Sequence, residues 1–428
     1  MNNSLTGQAI NLTRLDEPYL EPDYSRLVLR PFIPPPDRIL AIISRISAMD
    51  NNAVREELEQ VIGYFSADHG DLMARIKEHY TLAKRRLGKG NEPRDLSPEG
   101  RLLAGSYFTS EYAFEATALF NPSIVLVGAG RHIAAGDLHF IMSVRSVGEG
   151  HVSSISFRSG VIDKAGTVRL DPAVKTAVAG KREYREGIGE IRFREQSKLS
   201  ERLIYPVADA EKNGIEDARF VRFTEDDGSI RYYATYTAYD GKNILPKLLE
   251  TADFLRFKLL PLAGVMVINK GMALFPRKIN GSYSMLSRVD GESLYIMYSN
   301  DLFTWNEATK IASPEFPWEF MQMGNCGSPL ELDEGWLVLT HGVGSLRRYS
   351  ISALLLDKND PSKVIGRLRE PLLSPGERER IGYVPNVVYT CGSIIHNGKL
   401  IIPYGSADRS IAFITVKMSE LLEKLYRP

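Results

Sequence analysis

Two carboxylates, Glu216 and Asp217, stand side by side in "NGIEDARFVRF", directly after a glycine and before the apolar run of a predicted strand. Acids so placed are candidates for general acid and base work. On a regular strand neighbouring residues point to opposite faces, so alternation turns one acid into a pocket, leaves the other for a structural contact, and puts Arg219 on the side of Asp217. The competing reading is a polar strand entrance with a weak local ion pair.

Other polar residues recur where predicted strands begin or end. They are Asn121 in "FNPSIV", Arg145 in "IMSVRS", Lys270 in "NKGMALFPRK", Arg288 in "MLSRVDG", His341 in "LTHGVG" and Asp408 in "YGSADRS". Asp, Asn, Arg, Lys and His with nearby aromatic rings suit a sugar, which needs paired hydrogen bonds to its hydroxyls and a flat apolar face. No serine elbow, phosphate loop or zinc motif competes with this reading. His341 reads either as a pocket residue or as a satisfied core histidine. The "GEGHVSS" stretch with Glu149 and His151 reads either as a glycan-contacting loop or as an ordinary Gly-rich turn. Trp305, Trp318 and Trp336 read as packing residues.

These residues need a scaffold that gathers distant segments. From Asn121 onward the chain is a series of short alternating or apolar runs separated by turn signals, which is the pattern of an all-β meander. Units with a common plan of strand, D-G or N-G turn, strand and aromatic-rich strand begin near Asn121, Glu216, Leu274, Ser328 and Pro385. Their period predicts about five blades of a β-propeller, whose innermost strands would bring all these polar groups to one central funnel. Before Asn121, "PPDRILAIISRISAMDNNAVREELEQVIGYFSADHGDLMARIKEHYTLAKRRL" has helical spacing, with Asp50 and Asn51 or Asn52 as breakers and Asp68 as a cap; "RLLAGSYFTSEYAFEATALF" reads as a further helix. The expected division is therefore residues 1–120 as an N-terminal extension with amphipathic helices and 121–428 as a five-bladed β-propeller.

Composition narrows the partners. Lys and Arg total 53 against 53 Asp and Glu, which argues against nucleic acid or an anionic membrane surface as the partner. Only two cysteines occur, Cys326 and Cys391, which read as reduced core thiols rather than a disulfide framework or metal site. The N-terminal stretch has no basic segment followed by an apolar one, and no run approaches membrane-spanning length, so a cytoplasmic protein is expected.

The segments "FNPSIV", "GIEDARFV", "NKGMALFPRKINGSYSMLSR", "YSNDLFTW", "GWLVLTHGVG", "ALLLDKNDPSKVIGR", "GYVPNVVYTCG" and "YGSAD" occur in this order between Asn121 and the C-terminus. Together they resemble glycoside hydrolase family 130, the β-mannoside phosphorylases and related β-mannosidases. The resemblance implies a five-bladed propeller whose pocket performs inverting phosphorolysis of β-mannosides, releasing α-mannose 1-phosphate. It implies Asp217 as proton donor, acting through a hydroxyl of the bound mannose, with Glu216 and Arg219 of the same motif as substrate-binding residues, Glu216 orienting the strand or sugar. Asn121, Arg145 and Asp408 match positions that hold mannosyl hydroxyls; Lys270, Arg288 and His341 match positions that hold phosphate. The implied partners are a β-mannoside oligosaccharide and inorganic phosphate as co-substrate, with no metal and no other cofactor.

Two departures from the family pattern stand out. "EDAR" replaces the usual "EDPR", and Glu331 in "SPLELDEGW" stands where many phosphorylases have lysine. A carboxylate there would repel phosphate and could serve as base for water, so an inverting β-mannosidase with Glu331 as base is the alternative, and a non-catalytic glycan-binding propeller is the third. The N-terminal helices are expected to dock on the propeller, cover its mouth or mediate homo-oligomerisation, docking through their apolar stripes being the default.

Overall fold

The computed structural model describes residues 10–88, 95–128, 136–185 and 188–425. Part of the polar, Gly- and Pro-containing stretch "GKGNEPRDLSPEG" between the helical segments, the end of the apolar run "SIVLVGAG" and the first nine residues of the N-terminal stretch lie outside the described residues. The chain packs into two compact units, one formed by residues up to Pro22, Glu115–Ala173 and Gly180 onward, the other by Asp23–Phe114 and Val174–Ala179.

The smaller unit holds α1 (Pro36–Ser47), α2 (Asn51–Phe65), α3 (Leu72–Leu87) and α4 (Pro98–Tyr107). It also holds a small sheet in which Leu27–Pro31 lies antiparallel to Thr109–Ala113 and parallel to Thr176–Ala179. Asp50 caps α2, its carboxylate accepting from the amides of Asn52 and Ala53. Asp68 is not a cap: Asp71 precedes α3 and turns its carboxylate to Arg75 instead. The helix expected from Arg101 onward ends at Tyr107, because the next residues are strand. α4 passes close to α3 at Gly105, where a Cβ would sit 2.0 Å from the carbonyl oxygen of Ile76. Ile39, Ile43, Leu103, Ala104 and Phe108 form the core of this unit.

The larger unit is antiparallel β, arranged as five sheets. Their leading strands are Ala118–Leu126, Ile215–Thr224, Ala273–Leu274, Gln322–Asn325 and Val388–Tyr389, close to the starts expected from the repeating plan. Each sheet touches the next in chain order, and Lys399–Ser406 of the fifth touches Ala118–Leu126 of the first. Side chains and backbone stitch the leading strands together: the Phe220 amide donates to Ser123 Oγ at 2.9 Å, and the Cys391 amide to the Pro122 carbonyl at 2.8 Å. Between sheets lie aliphatic and aromatic clusters such as Phe275, Leu286, Ile296, Trp336, Val338 and Leu354. Burying each such side chain stabilises the fold by about 1.5–3 kcal/mol before entropy is counted. Trp305 and Trp336 are fully buried, as packing residues should be, and Trp318 is half-buried.

The expected partition at 120/121 differs from this packing in three places. Leu12–Leu20 pairs with Ser410–Lys417 and so joins the larger unit, residues 174–179 join the smaller, and Glu115 rather than Asn121 resumes the larger unit. No helix among the described residues is long and apolar enough to cross a membrane.

Candidate functional site

A cavity of about 300 Å³ opens in the larger unit, lined by Asn121, Arg145, Asp217, Arg219, Lys270, Arg288, His341 and Asp408 from all five sheets or their connections. These are the residues expected to meet, apart from Glu216, which lies directly behind, and Glu331, which is elsewhere.

What aims them is a set of breaks in strand regularity. In Ala118–Leu126 the register slips between Phe120 and Ser123, with Asn121 at φ 50°; in Ile215–Thr224 it slips between Glu216 and Arg219, with Asp217 at φ 54°. Asp408 turns between the last two strands at φ 47°, and Asn269, just before Lys270, has φ 65°. Left-handed backbone at non-glycine residues costs on the order of 1–3 kcal/mol, least for Asn and Asp, and such strain gathers at functional sites. The bulge at Asp217 overturns the alternation argument. Glu216 and Asp217 do not face opposite environments: Arg145 donates to Glu216 Oε1 at 2.8 Å and to Asp217 Oδ1 at 3.1 Å.

Around Arg145 the charges form one network. Lys270 Nζ donates to the other oxygen of Glu216, and the Asn121 amide donates to Asp217 Oδ1. Burial opposes the charged form of Asp217, but Arg145, Arg219, Lys270 and the Asn121 amide outweigh it and hold the carboxyl below its ordinary range. Asp408 goes the other way. Burial, helped by the charge of Asp217, pushes its carboxyl up to about 7 despite Arg145 and Arg347. Two acids in one cavity thus have separated protonation states. Arg219 lines the cavity and is braced there, donating to the carbonyls of Cys326 and Asp217 and to Tyr389 Oη.

Elsewhere in the cavity lining, Arg288 donates to His341 Nε2 at 3.2 Å. Burial first, then Arg288 and Arg219, lower the His341 pKa well below its usual value, so the ring is neutral and Nδ1 carries its proton. Beside this neutral ring the positive charge comes from Arg288, while Lys270 is paired with Glu216. Gly324 makes room for the pair: a Cβ there would lie 2.9 Å from His341 Cε1 and 3.3 Å from Arg288 Cδ. Several buried polar atoms here have no protein partner, namely Asn121 Oδ1, Arg145 Nε, Arg288 Nε, Asn325 Oδ1 and His341 Nδ1. Buried polar groups are ordinarily satisfied, so a cavity with both donors and acceptors left over is built for a polar ligand.

Glu331 does not belong to this site. It forms a two-point ion pair with Arg277, at 2.9 and 2.7 Å, in a separate cavity with Ile124, Phe220, Leu330 and Ile394. The hydrogen bond and charge of Arg277 lower its pKa. It lines no part of the cavity that holds Asp217.

Sequence reasoning missed Asn325, Gly324, Gln322, Arg347, Tyr349 and Tyr389, all of which line the cavity. Tyr389 lies inside the quoted "GYVPNVVYTCG", yet a tyrosine in an apolar run reads as core. Asn325 had a local signal, a polar residue between glycines in "GNCG" at a strand end. Among the described residues no cluster of three or more His, Cys, Asp or Glu could hold a metal ion.

The family model for glycoside hydrolase family 130, described as beta-1,4-mannooligosaccharide phosphorylase, matches residues 173–427. A 1,2-beta-oligomannan phosphorylase of Thermoanaerobacter sp. is 33% identical over 234 residues, covering 52% of this chain and 75% of that protein. A beta-1,4-mannooligosaccharide phosphorylase of Ruminococcus albus is 37% identical over 211 residues, covering 46% of this chain and 61% of that protein. Among solved structures, the beta-1,2-mannobiose phosphorylase of Listeria innocua in complex with beta-1,2-mannobiose aligns with a TM-score of 0.53 at 22% identity, over 72% of this chain and 92% of that one. That last likeness is one of fold.

Proposed function

The chain belongs to glycoside hydrolase family 130, and from that premise we propose that it is an inverting phosphorylase of β-mannosides that uses inorganic phosphate and releases α-mannose 1-phosphate. The observation that carries this reading is one cavity that combines Lys270, Arg288 and neutral His341, with unpartnered donors at Arg288 Nε and His341 Nδ1, and the carboxyls of Asp217 and Asp408. An anionic nucleophile needs such donors; water would need a carboxylate base there instead. Glu331, the base of the hydrolytic alternative, is fixed to Arg277 in another cavity. We read the five sheets, closed by contact of the fifth with the first, as the blades of a five-bladed propeller, and the helices before it as an appended region.

In this reading Asn121, Arg145 and Asp408 hold the mannosyl unit. Asp408, protonated up to about pH 7, can donate to one hydroxyl while Asn121 Oδ1 accepts from another. A phosphate oxygen bonds to the anomeric carbon as the glycosidic bond breaks, and the leaving oxygen takes a proton supplied by Asp217, relayed through a mannosyl hydroxyl. In the free site Asp217 is ionised, which is the wrong state for a donor. Phosphate beside Lys270 and Arg288 offsets the cations that depress Asp217, and its own charge raises that carboxyl's proton affinity. Arrival of the co-substrate therefore arms the acid.

The test is product analysis of the purified protein with β-1,2- and β-1,4-mannobiose, with and without inorganic phosphate. Mannose 1-phosphate formed only with phosphate is the expected result. Free mannose released at a phosphate-independent rate would overturn it.

A further inference from the structure

The proposed reaction fixes where the leaving sugar must go. In an inverting displacement the nucleophile and the leaving oxygen lie on opposite sides of the anomeric carbon. Lys270 and Arg288 belong to the third sheet and its approach, and His341 to the fourth. In a ring of five, the side facing the junction of the third and fourth sheets is the first sheet, flanked by the second and the fifth.

On that side the rim carries a pair of rings outside the network described so far. His151 lies in the connection between Leu138–Val147 and Ser153–Ile162, six residues beyond Arg145 in the sequence. Tyr383 lies just before the first strand of the fifth sheet. Tyr383 Oη and His151 Nδ1 are 2.8 Å apart, and the ring centroids 5.7 Å. The Tyr383 ring also lies 6.4 Å from that of Phe120, a cavity-lining residue over which the Arg145 guanidinium sits at 5.0 Å. The pair therefore continues the cavity wall outward from the arginine that holds Asp217.

Three further observations mark it as a built surface. His151 has φ 60°, a left-handed conformation that a histidine does not adopt without cost. Gly382 lets the Tyr383 segment lie against the turn that carries Asp408, since a Cβ there would be 2.4 Å from the Ala407 Cβ. Tyr383 is nonetheless 41% exposed, so a large flat ring is held in place and left uncovered at the mouth.

We propose that His151 and Tyr383 form the acceptor-side platform of this enzyme. A pyranose would stack an apolar face on Tyr383, and the remaining nitrogen of His151, Nε2, would meet one of its hydroxyls. This rests on the phosphorylase reading above, and it selects among acceptor sugars rather than acting on the bond itself.

The experiment is the reverse reaction, α-mannose 1-phosphate with mannose, glucose or N-acetylglucosamine as acceptor, for the wild type and for Tyr383→Ala, Tyr383→Phe and His151→Ala. Each alanine variant is expected to raise the KM for the acceptor about tenfold while leaving that for mannose 1-phosphate within about twofold. Tyr383→Phe keeps the ring and should fall between wild type and Tyr383→Ala. Unfolding midpoints close to wild type would show that the fold is intact. Unchanged acceptor KM in both alanine variants, or a parallel rise for both substrates, would overturn the platform while leaving the phosphorylase reading standing. A wild type that neither makes nor consumes mannose 1-phosphate would remove that reading and the platform with it.

Discussion

The cavity around Asp217 and the cavity around Glu331 are walled by successive stretches of the same strands. Ala118–Leu126 gives Phe120 and Asn121 to the first and Ile124 to Leu126 to the second; Ile215–Thr224 gives Asp217 and Arg219 to the first, then Phe220, Val221, Arg222 and Thr224 to the second. The second is the larger, about 370 Å³ against about 300 Å³, and it too holds a charged pair. They differ in how their polar groups are satisfied. Arg277 and Glu331 satisfy one another at the surface and leave Ser328 Oγ as the second cavity's one buried side-chain polar atom without a partner among the described residues, whereas the first cavity keeps five, and holds Asn121, Asp217 and Asp408 in left-handed backbone. Unspent hydrogen-bonding capacity and local strain separate a working site from a crevice better than volume does.

That contrast can be broken most directly with paired carboxamides. Asp217→Asn is expected to lower phosphate-dependent turnover by about 10²- to 10⁴-fold, and Glu331→Gln to change it by no more than about twofold. Mannose 1-phosphate release at saturating phosphate measures both, and comparable losses would erase the distinction between the two cavities.

Gly324→Ala sharpens it from the side of the nucleophile. The new methyl would press on His341 and Arg288. Overpacking of that size predicts a KM for phosphate raised about tenfold, with the KM for the mannoside little affected. Steady-state kinetics with each substrate varied in turn would show the asymmetry, and an equal rise in both would mean that the methyl disturbs the whole cavity.

The smallest effect concerns stability. Asp408 has a folded-state pKa of about 7 against an ordinary 3.8. Its raised value favours the folded state fully at acidic pH, and this contribution is lost as pH climbs through about 7. Asn stays neutral throughout, so the unfolding midpoint of Asp408→Asn relative to wild type should rise by a few degrees between about pH 5 and about pH 8. A pH-independent difference would mean that Asp408 is ionised throughout.

The large-scale plan was legible because it is written in local chemistry. D-G and N-G turns between alternating runs placed the hairpins of the larger unit, and polar residues at strand ends identified most of the cavity. What failed was set by tertiary pairing. No local signal in "GIEDAR" says that the register slips at Asp217, and without the slip Glu216 points the wrong way. Glu331 looked catalytic by its place in a motif, and only the fold shows it paired with Arg277. The segment after Arg101 has enough apolar residues for a helix, but Thr109–Ala113 pairs with Leu27–Pro31, and pairing overrode the helical pattern. His341 was rightly placed, yet its neutrality depends on Arg288, which lies far from it in the sequence.

One pairing has a consequence in time. Leu12 to Leu15 lie opposite Val416 to Phe413, and the same sheet carries the hairpin that turns at Asp408. During synthesis Leu12–Leu20 leaves the ribosome early and waits for Ser410–Lys417, so the ring of sheets closes only after nearly all of it has been made. Contacts this distant in sequence form slowly. The cavity receives Asp408 at that same late stage, so its lining is completed together with the fifth sheet.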